Sequence, residues 1–489
     1  MPRRLQSNDG SALLLAIMVM LMLTLLFIAS VKTSIIDMNM AESYTEKSSA
    51  FYIADGALEL AVSTLNENPY VLHDDSLHTL INRAPSLGKG SFELEMDRSG
   101  SDIILTAHGA QEDANAVVKV TVKRVRNSRC IWDNILCGGT GRNKQLINGN
   151  VSLHGSVHIC GDSLQAVDPA LIISGTGGMY NNYQGMNATL SSRLPPLDTV
   201  TFNGEVVNSL NAELRAEQGR IDLDGAGFIG SPDVPGGSPP VKETIDGCYV
   251  ADGFGGNSGV VNVFSDNGTS EGYDVEGGID FPDLYESYTD PTTHITYSTY
   301  LSYLQSNALV LGGDLTLMPG VSLPLMSNDF GSISMDTYGN LQIDGIVYVT
   351  GDIDIEEGIS GYKDLPLLFD GKGTLVSQGN TYINTNVLSD GTFPSDDVLG
   401  FVSAQDIEIG TGAGASQLTA MGAFFAQGQI TNQKQNQIAG AMVANFCEFY
   451  NVPDLFQVPS IVEHMPPGMP GHEQASYIYQ VVENSWCEL

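Results

Sequence analysis

The stretch SALLLAIMVMLMLTLLFIASV, residues 11–31, lies near the start of this 489-residue chain and decides the fold of its first part. None of its 21 side chains is charged. As an α-helix rising about 1.5 Å per residue, it spans the ~30 Å hydrocarbon core of a bilayer. Arg3 and Arg4 precede it and predict a cytoplasmic N-terminus, although Lys32 on the far side weakens that asymmetry. We therefore expect a single-pass inner-membrane protein whose remaining chain is periplasmic or extracellular.

The helical pattern continues beyond the apolar run. Gly56 is the first glycine after the run and Pro69 the first proline, so nothing interrupts a helix before about Glu67. Apolar side chains recur at helical spacing at Ile35, Met38, Ala41, Phe51, Ala54, Leu58, Val62 and Leu65. We predict one long helix, with residues 32–68 as the amphipathic continuation of the membrane span. A cleaved secretory signal, the alternative, would have a shorter apolar region of about 7–15 residues.

A short block, AFYIADGALELA, occupies residues 50–61 of this continuation. Together with a basic leader that ends at Gly10 and an apolar run that begins at Ser11, the block resembles the type IV prepilins of the PilX N-terminal family, which are minor pilins. The resemblance covers roughly residues 8–65. The positions of the block that carry it are Ala50, Phe51, Ala54, Asp55, Ala57, Leu58 and Glu59.

The resemblance implies that residues 1–10 are a leader, which prepilin peptidase removes after Gly10, and that the new amine on Ser11 is methylated. It implies other pilins, the pilus assembly machinery and the inner membrane as partners. Most pilins carry Glu at the fifth mature position, where this sequence has Leu15. That departure favours a minor subunit that primes or caps a filament at its tip. An uncleaved signal anchor with no filament role is the alternative.

Residues 69–126 contain three strand-like runs, at 91–97, 102–109 and 115–125. The first two runs flank Arg-Ser-Gly-Ser, which is typical of a tight turn in a β-hairpin. We predict a small antiparallel sheet packed on the second half of the long helix. This arrangement would be an α+β head of the pilin-like type.

Downstream, the chain repeats a short unit of glycine, Asp or Asn, two further residues and an aliphatic residue. The unit begins at Gly149, Gly313, Gly339, Gly351 and Gly379, with relatives at Ala404 and Gly428. Steps near 25 residues suit the coils of a parallel β-helix, in which each strand stacks on its equivalent one coil away. We predict that residues 127–455 are mainly β, forming a right-handed parallel β-helix, with a β-sandwich as the alternative. A Gly-rich and Tyr-rich insertion at about 230–300 and a C-terminal tail at 456–489 complete this division.

The net charge of −36, from 57 acidic and 21 basic side chains, argues against a nucleic-acid partner, because phosphates require Lys and Arg. In Asp352-Ile-Asp-Ile-Glu356, the isoleucines share one face of a strand and the carboxylates the other. We interpret much of the acidity as a solvated outer wall. Calcium bridging between such carboxylates is a hypothesis, and no other cofactor is expected.

The cysteines and histidines offer two candidate sites. If the compartment is oxidising, Cys130 paired with Cys137 or Cys160 would form a local disulfide, and buried free thiols are the alternative. His154, His158 and Cys160 are the best metal-ligand cluster in the sequence. His158 and Cys160 share a strand face, but His154 needs a turn at Gly155 to join them. Unrelated polar positions are the favoured explanation of this spacing, so no metal site is predicted.

No catalytic motif supports an enzyme, and we predict that the chain is not one. Two other functions stay open. The tyrosines near residues 273–303 could serve a surface adhesin that binds glycans, although such side chains also pack insertions onto a β-helix. Parallel β-helices also include polysaccharide lyases, but these need a base beside paired carboxylates, and Lys and Arg are scarce after residue 205.

Overall fold

The computed structural model describes residues 9–67, 90–99, 102–126, 129–139, 145–161, 164–197, 199–202, 205–233, 241–269, 273, 275, 279–412, 417–472, 477–482 and 485–488. The chain forms two compact units: Met1–Ser128 together with Ser476–Leu489, and Arg129–Ala475. The second unit is therefore inserted into the first. The boundary predicted after residue 126 lies two residues from this division. Residues 456–489 are not one tail, because the two units share them.

One helix, α1 (Asp9–Glu67), runs through 59 residues of the first unit. Its extent matches the prediction: the helix continues through Gly56 and ends shortly before Pro69 in the sequence. From Leu13 to Asn66 it is long and apolar enough to cross a membrane. Large apolar side chains between Leu13 and Ile36 are 41–70% exposed, so the first unit leaves this part of the helix uncovered.

The head of the first unit is the predicted small antiparallel sheet with two strands added from the other end of the chain. Its strands are β1 (Ser91–Ser99), β2 (Asp102–Gln111), β3 (Ala114–Arg126), β34 (Tyr477–Val481) and β35 (Cys487–Glu488). They lie in the order β1-β2-β3-β34, and β35 also pairs with β3. Every pairing is antiparallel. The strands after the second unit thus complete the sheet that precedes it.

An alanine-rich face of α1 packs on this sheet. Ala54, Ala57 and Ala61 are fully buried against strand residues that include Leu105. Small side chains allow a close approach of helix and sheet. A Cβ atom on Gly109 would lie only 2.2 Å from a helix carbonyl oxygen, so this strand position requires glycine.

The second unit contains two runs of short strands. The first run is β4 (Leu136–Gly138), β5 (Gln145–Gly149), β6 (Ser152–His154), β7 (Val157–Ile159), β8 (Pro169–Gly175), β9 (Gly178–Tyr180), the hairpin β10 (Thr199–Phe202) and β11 (Glu205–Asn208), then β12 (Glu213–Ala216), β13 (Arg220–Leu223), β14 (Phe228–Ile229), β15 (Gly247–Val250) and β16 (Phe254–Gly255). A short helix, α2 (Ala188–Ser191), follows β9, and 3-10 helices lie at Ile131–Asp133 and Gly259–Asn262.

The second run follows the hairpin β17 (Tyr288–Thr289) and β18 (Thr296–Tyr297) and the helix α3 (Tyr300–Ser306). It consists of β19 (Leu309–Leu311), β20 (Leu315–Leu317), β21 (Leu323–Ser327), β22 (Gly331–Met335), β23 (Asn340–Val349), β24 (Ile353–Ile355), β25 (Leu367–Asp370), β26 (Lys372–Ser377), β27 (Thr381–Ile383), β28 (Val387–Ser389), β29 (Val398–Ser403), β30 (Ile407–Ile409), β31 (Thr419–Asn432), β32 (Gln437–Asn451) and β33 (Asp454–Gln457). A 3-10 helix at Pro459–His464 follows.

Apart from the antiparallel pairs β10–β11, β21–β22 and β22–β23, the strands of both runs stack in parallel, one coil on the next. In the first run β4 pairs with β7, β7 with β12, and β12 with β15. In the second run β23 pairs with β26, β26 with β29, and β29 with β31. The predicted parallel β-helix is confirmed, and the antiparallel β-sandwich is wrong.

The spatial order of the two runs in the stack differs from their order along the chain. The last coil of the second run stacks on the first coil of the first, since β32 pairs with β4 and β5, and β33 pairs with β6. The chain thus enters the stack in the middle, coils to one end, crosses to the other end and coils back. The crossing segment, residues 256–308, is here called the return segment.

The return segment packs along the outside of the coils. The thiol of Cys160, next to β7, donates a hydrogen bond to the carbonyl oxygen of Ile279 at 3.1 Å. The ring of Phe281 stacks on that of Phe425 in β31, with centroids 5.6 Å apart. The Tyr285 hydroxyl bonds to the carbonyl oxygen that follows β29. Because these contacts fall in both runs, the segment ties them together.

An Asp/Asn ladder explains the repeated sequence unit. The side-chain oxygen of each residue accepts a hydrogen bond from the backbone N–H one coil further on. The distances are 3.0 Å from Asp314 to the N of Asp352, 2.7 Å from Asp352 to the N of Asn380, 3.2 Å from Asn380 to the N of Asp406, and 2.7 Å from Asp406 to the N of Gln429. The unit therefore needs Asp or Asn at this position.

The glycine of the unit follows from the same geometry. A Cβ atom on Gly351 would lie 2.1 Å from Oδ1 of Asp314, and one on Gly379 would lie 2.0 Å from Oδ1 of Asp352. Both distances are far below van der Waals contact. Glycine and the following Asp or Asn are therefore one structural device, which caps each coil with a side-chain hydrogen bond.

Candidate functional sites

The sequence block at residues 50–61 lies where α1 meets the head sheet. Its alanines, with Leu58, form the buried face of the helix. Phe51 is half-buried, and Glu59 is exposed. The residues that carry the family resemblance therefore have a packing role, and they hold the helix on the sheet.

Asp55 and Asn66 bind the strands that return from the second unit. Oδ1 of Asp55 accepts a hydrogen bond from Nε1 of Trp486 at 2.8 Å. Oδ1 of Asn66 accepts a bond from the backbone N–H of Tyr479 at 2.5 Å, and its amide donates to the Tyr479 carbonyl oxygen at 3.4 Å. Tyr479 is buried in the same core. The helix thus fixes the C-terminal strands through two polar side chains, a role that the local sequence did not predict for either.

The residues of the predicted processing site lie in the first turns of α1. Gly10 and Ser11 belong to the helix, and their side chains lie outside the described residues. Leu15, the fifth residue from Ser11, is 65% exposed. Cleavage after Gly10 stays a prediction.

A second cluster lies beneath the return segment, on successive coils of the second unit. His158 is on β7, Cys160 directly follows that strand, and Glu217 directly follows the paired strand β12. Nε2 of His158 lies 2.6 Å from Oε1 of Glu217. One ligand atom from each of the three residues lies within 4.8 Å of the other two. Their imidazole, thiol and carboxylate groups are the types that bind Zn²⁺.

Hydrogen bonds and burial shift the pKa values of the side chains in this cluster. The pKa of Cys160 is lowered to about 7, chiefly by its hydrogen bond with Cys137 and in part by His158, which together outweigh burial. The pKa of Cys137 is raised, because it shares that bond and is buried. Burial lowers the pKa of His158, but hydrogen bonds with Cys160 and Glu217 raise it above its ordinary value.

His154 does not join this cluster, contrary to the grouping considered from the sequence. Its ring stacks between those of Tyr180 and Phe456, at centroid distances of 4.6 and 4.4 Å. Its Nδ1 lies 2.7 Å from the carbonyl oxygen of Asn182. Burial lowers its pKa to about 4. It is an aromatic member of the core, because Gly155 turns the chain between β6 and β7.

Glu217 takes the place that the sequence had suggested for His154. It lies 57 residues after Cys160, too far for a spacing motif to connect the two. The usable signal is structural: β7 and β12 pair in register, with Ile159 opposite Ala216, so the residues that follow them are neighbours.

The cysteines form no disulfide within the described part of the chain, which includes Cys130, Cys137 and Cys160. The thiols of Cys137 and Cys160 are hydrogen-bonded to each other. Cys130 is buried nearby, at the start of the second unit. Pairing of Cys130 with either of the other two stays a prediction for the oxidised protein.

The tyrosines behind the glycan-binding alternative pack on one another. Tyr288 lies 4.7 Å from both Tyr300 and Tyr303, measured between ring centroids, and Tyr297 lies 5.3 Å from Tyr303. They join the hairpin β17–β18 to α3. This arrangement favours the packing interpretation.

Several basic side chains of the second unit form ion pairs with neighbouring carboxylates. Lys242, which is buried, contacts Asp246 and Asp266. Arg220 binds Asp222 at 2.8 Å. A lyase would need such a base beside its substrate, so these pairings weaken that alternative.

Comparisons with known proteins agree with this organisation. Residues 9–59 match the family model described as PilX N-terminal. The crystal structure of the competence-associated pilin ComZ from Thermus thermophilus is similar to this chain, with a TM-score of 0.53 and 18% sequence identity over 91% of this chain and 98% of that one. Among curated proteins no sequence match was found. At 18% identity the likeness establishes the fold. Residues 9–59 therefore match the PilX N-terminal domain, and the chain has a fold similar to that of this competence-associated pilin, with a β-helical unit inserted between the strands of its head.

Proposed function

We propose that the chain is a minor pilin that primes or caps a type IV pilus, or a related filament, and presents its β-helical unit outside the cell. The observation that carries the proposal is the division of α1 into two parts. The C-terminal part is buried under the head sheet, whereas the apolar part from Leu13 to Ile36 has no protein cover within the described chain.

An uncovered apolar helix is stabilised by an apolar environment, because removal of each Å² of apolar surface from water is favourable by about 25 cal/mol. A lipid bilayer and the packed helices of a pilin filament both provide one. α1 fits a single membrane anchor, with the N-terminus expected in the cytoplasm. Leu15 lacks the carboxylate with which most pilins pair a neighbour, which favours a subunit at the filament tip.

The enzyme and adhesin alternatives receive less support. The PilX N-terminal match and the pilin fold favour a structural role. The tyrosines and bases that the alternatives would use pack on one another or form ion pairs. Binding of glycans by the β-helical unit stays an alternative, and a glycan array probed with the full chain would reveal it.

Deletion of the gene, followed by complementation, tests the proposal. We expect deletion to reduce the number of surface pili counted by electron microscopy, and the wild-type gene to restore it. Gly10→Val should fail to restore piliation because the leader stays attached. Asn8→Ala, a change in the same leader, should restore it. Unchanged piliation after deletion would contradict the proposal.

A further inference from the structure

The cluster around His158 collects donor groups from two neighbouring coils of the β-helical unit. His158 and Cys160 lie on and directly after β7, and Glu217 follows β12, which pairs with β7. Side chains at equivalent positions of successive coils lie about 4.8 Å apart. One ion at this place would therefore contact neighbouring coils at once.

The distances suit a tetrahedral ion. Zn²⁺ lies about 2.0–2.3 Å from nitrogen, oxygen and sulfur ligands, so its ligand atoms are roughly 3.3–3.8 Å apart. The ligand atoms of His158, Cys160 and Glu217 lie within 4.8 Å of one another. The 2.6 Å hydrogen bond between His158 and Glu217 would open by about 1 Å as both groups bind the ion.

The surroundings already orient one of the donors, Glu217. The backbone N–H of Ile279 donates to Oε1 of Glu217 at 2.7 Å. The bond that the Cys160 thiol donates to the Ile279 carbonyl oxygen would be lost when Cys160 gives up its proton to bind the ion. The backbone N–H of Glu217 also bonds to Ile159 at 3.0 Å. Such outer contacts orient metal ligands in proteins. Here they come from the return segment and from the neighbouring coil.

We propose that His158, Cys160 and Glu217 bind one Zn²⁺, with its fourth position open to water, and that the ion links two neighbouring coils of the β-helical unit beneath the return segment. Thiol and imidazole donors favour zinc over calcium, which prefers oxygen. A disulfide between Cys137 and Cys160 is the competing use of these thiols. It would remove Cys160 as a ligand.

Metal analysis of the full chain, purified in detergent without chelator, tests the proposal. We expect about one zinc per chain by plasma mass spectrometry. Cys160→Ser should lower the zinc content about tenfold or more. Cys248→Ser, which changes another buried cysteine of the same unit, should leave it unchanged. Absent zinc in the wild type, or equal loss in both variants, would overturn the proposal.

Two further readouts keep the test valid if Cys160→Ser does not fold. Glu217→Gln retains an acceptor for Ile279 and should fold, but it should weaken Zn²⁺ binding in a chelator competition. Addition of Co²⁺ to the stripped wild type should produce a thiolate-to-cobalt charge-transfer band. A Cys137–Cys160 disulfide found by peptide mass spectrometry in the chain as purified, or no cobalt band, would contradict the site.

Discussion

The two units bury their apolar side chains in different ways. In the pilin-like unit, one face of a single helix packs on one antiparallel sheet, and the rest of the helix stays uncovered. In the β-helical unit, equivalent positions of successive coils repeat the same contact, as where Phe401 stacks on Phe424 with ring planes only 4° apart. The first unit depends on one interface and offers apolar surface to a partner. In the second unit, each coil buries its apolar side chains against the neighbouring coils.

The largest expected effect comes from a break in the coil-to-coil stacking. Phe424→Ala removes a fully buried ring and should lower the free energy of unfolding of the β-helical unit by about 4 kcal/mol. Phe330→Ala, at a ring that is 49% exposed, should have little effect. Hydrogen exchange by mass spectrometry can assign the loss to this unit. Equal effects of the two variants would refute the stacked core.

Leu58→Ala breaks the helix–sheet interface of the pilin-like unit. Leu58 is fully buried, and its truncation should cost about 3.5 kcal/mol, seen as faster hydrogen exchange in β1, β2 and β3. Leu26→Ala makes the same change in the same helix at a side chain that is 64% exposed. It should leave exchange in the head unchanged. If Leu26→Ala destabilised the head equally, the two parts of α1 would not differ as described.

Acid should weaken the β-helical unit through His154. The pKa of this residue is lowered to about 4 when folded, against about 6.5 when unfolded. Between these values the unfolded chain binds a proton that the folded chain excludes, so stability falls as the pH falls. The contribution lost by pH 4 is about 3 kcal/mol.

Comparison of variants isolates this contribution from other titrating groups. His154→Phe can keep the ring stacking, and its stability should fall less between pH 7 and pH 4 than that of the wild type. His294→Phe, at an exposed histidine, should follow the wild type. Denaturant titrations at several pH values provide the measurement. Parallel curves for His154→Phe and the wild type would contradict a neutral, buried His154.

The smallest expected effect concerns the Asp/Asn ladder. Asp352→Ala removes the acceptor of the 2.7 Å bond from the backbone N–H of Asn380 and should cost about 2 kcal/mol in thermal unfolding. Asp354→Ala, two residues further along in β24, is the matched control. The pKa of Asp354 is raised by burial and by the neighbouring carboxylates, so its removal should be neutral or stabilising. A larger loss from Asp354→Ala would show that the ladder is not the stabilising device.

The parts of the fold that depend on local patterns were predictable from the sequence. The end of α1 follows from Pro69, because a helix usually ends at or before the residue that precedes a proline. The coils follow from the repeated unit, as in Gly351 and Asp352. The glycine leaves room for a side-chain oxygen of the preceding coil, and the aspartate accepts a hydrogen bond from the following coil. The alternation of apolar and acidic residues along a strand predicted which side chains are buried, as at Ile353 and Ile355.

Long-range pairing was not predictable in this way. β32 stacks on β4 although their paired residues, such as Met442 and Leu136, lie about 300 positions apart. The strands that begin at Tyr477 complete a sheet formed before the second unit, and their sequence shows no sign of that partner. The site around His158 was missed in part for the same reason, because Glu217 comes from another coil.

The mass of the N-terminal peptide of the mature protein, purified from membranes of the native host, tests the pilin assignment most directly. We predict a peptide that begins at Ser11 with a methylated amine, and an uncleaved leader in the Gly10→Val variant. A mature wild-type protein that begins at Met1 or Pro2, or at a site after the apolar run, would contradict the assignment.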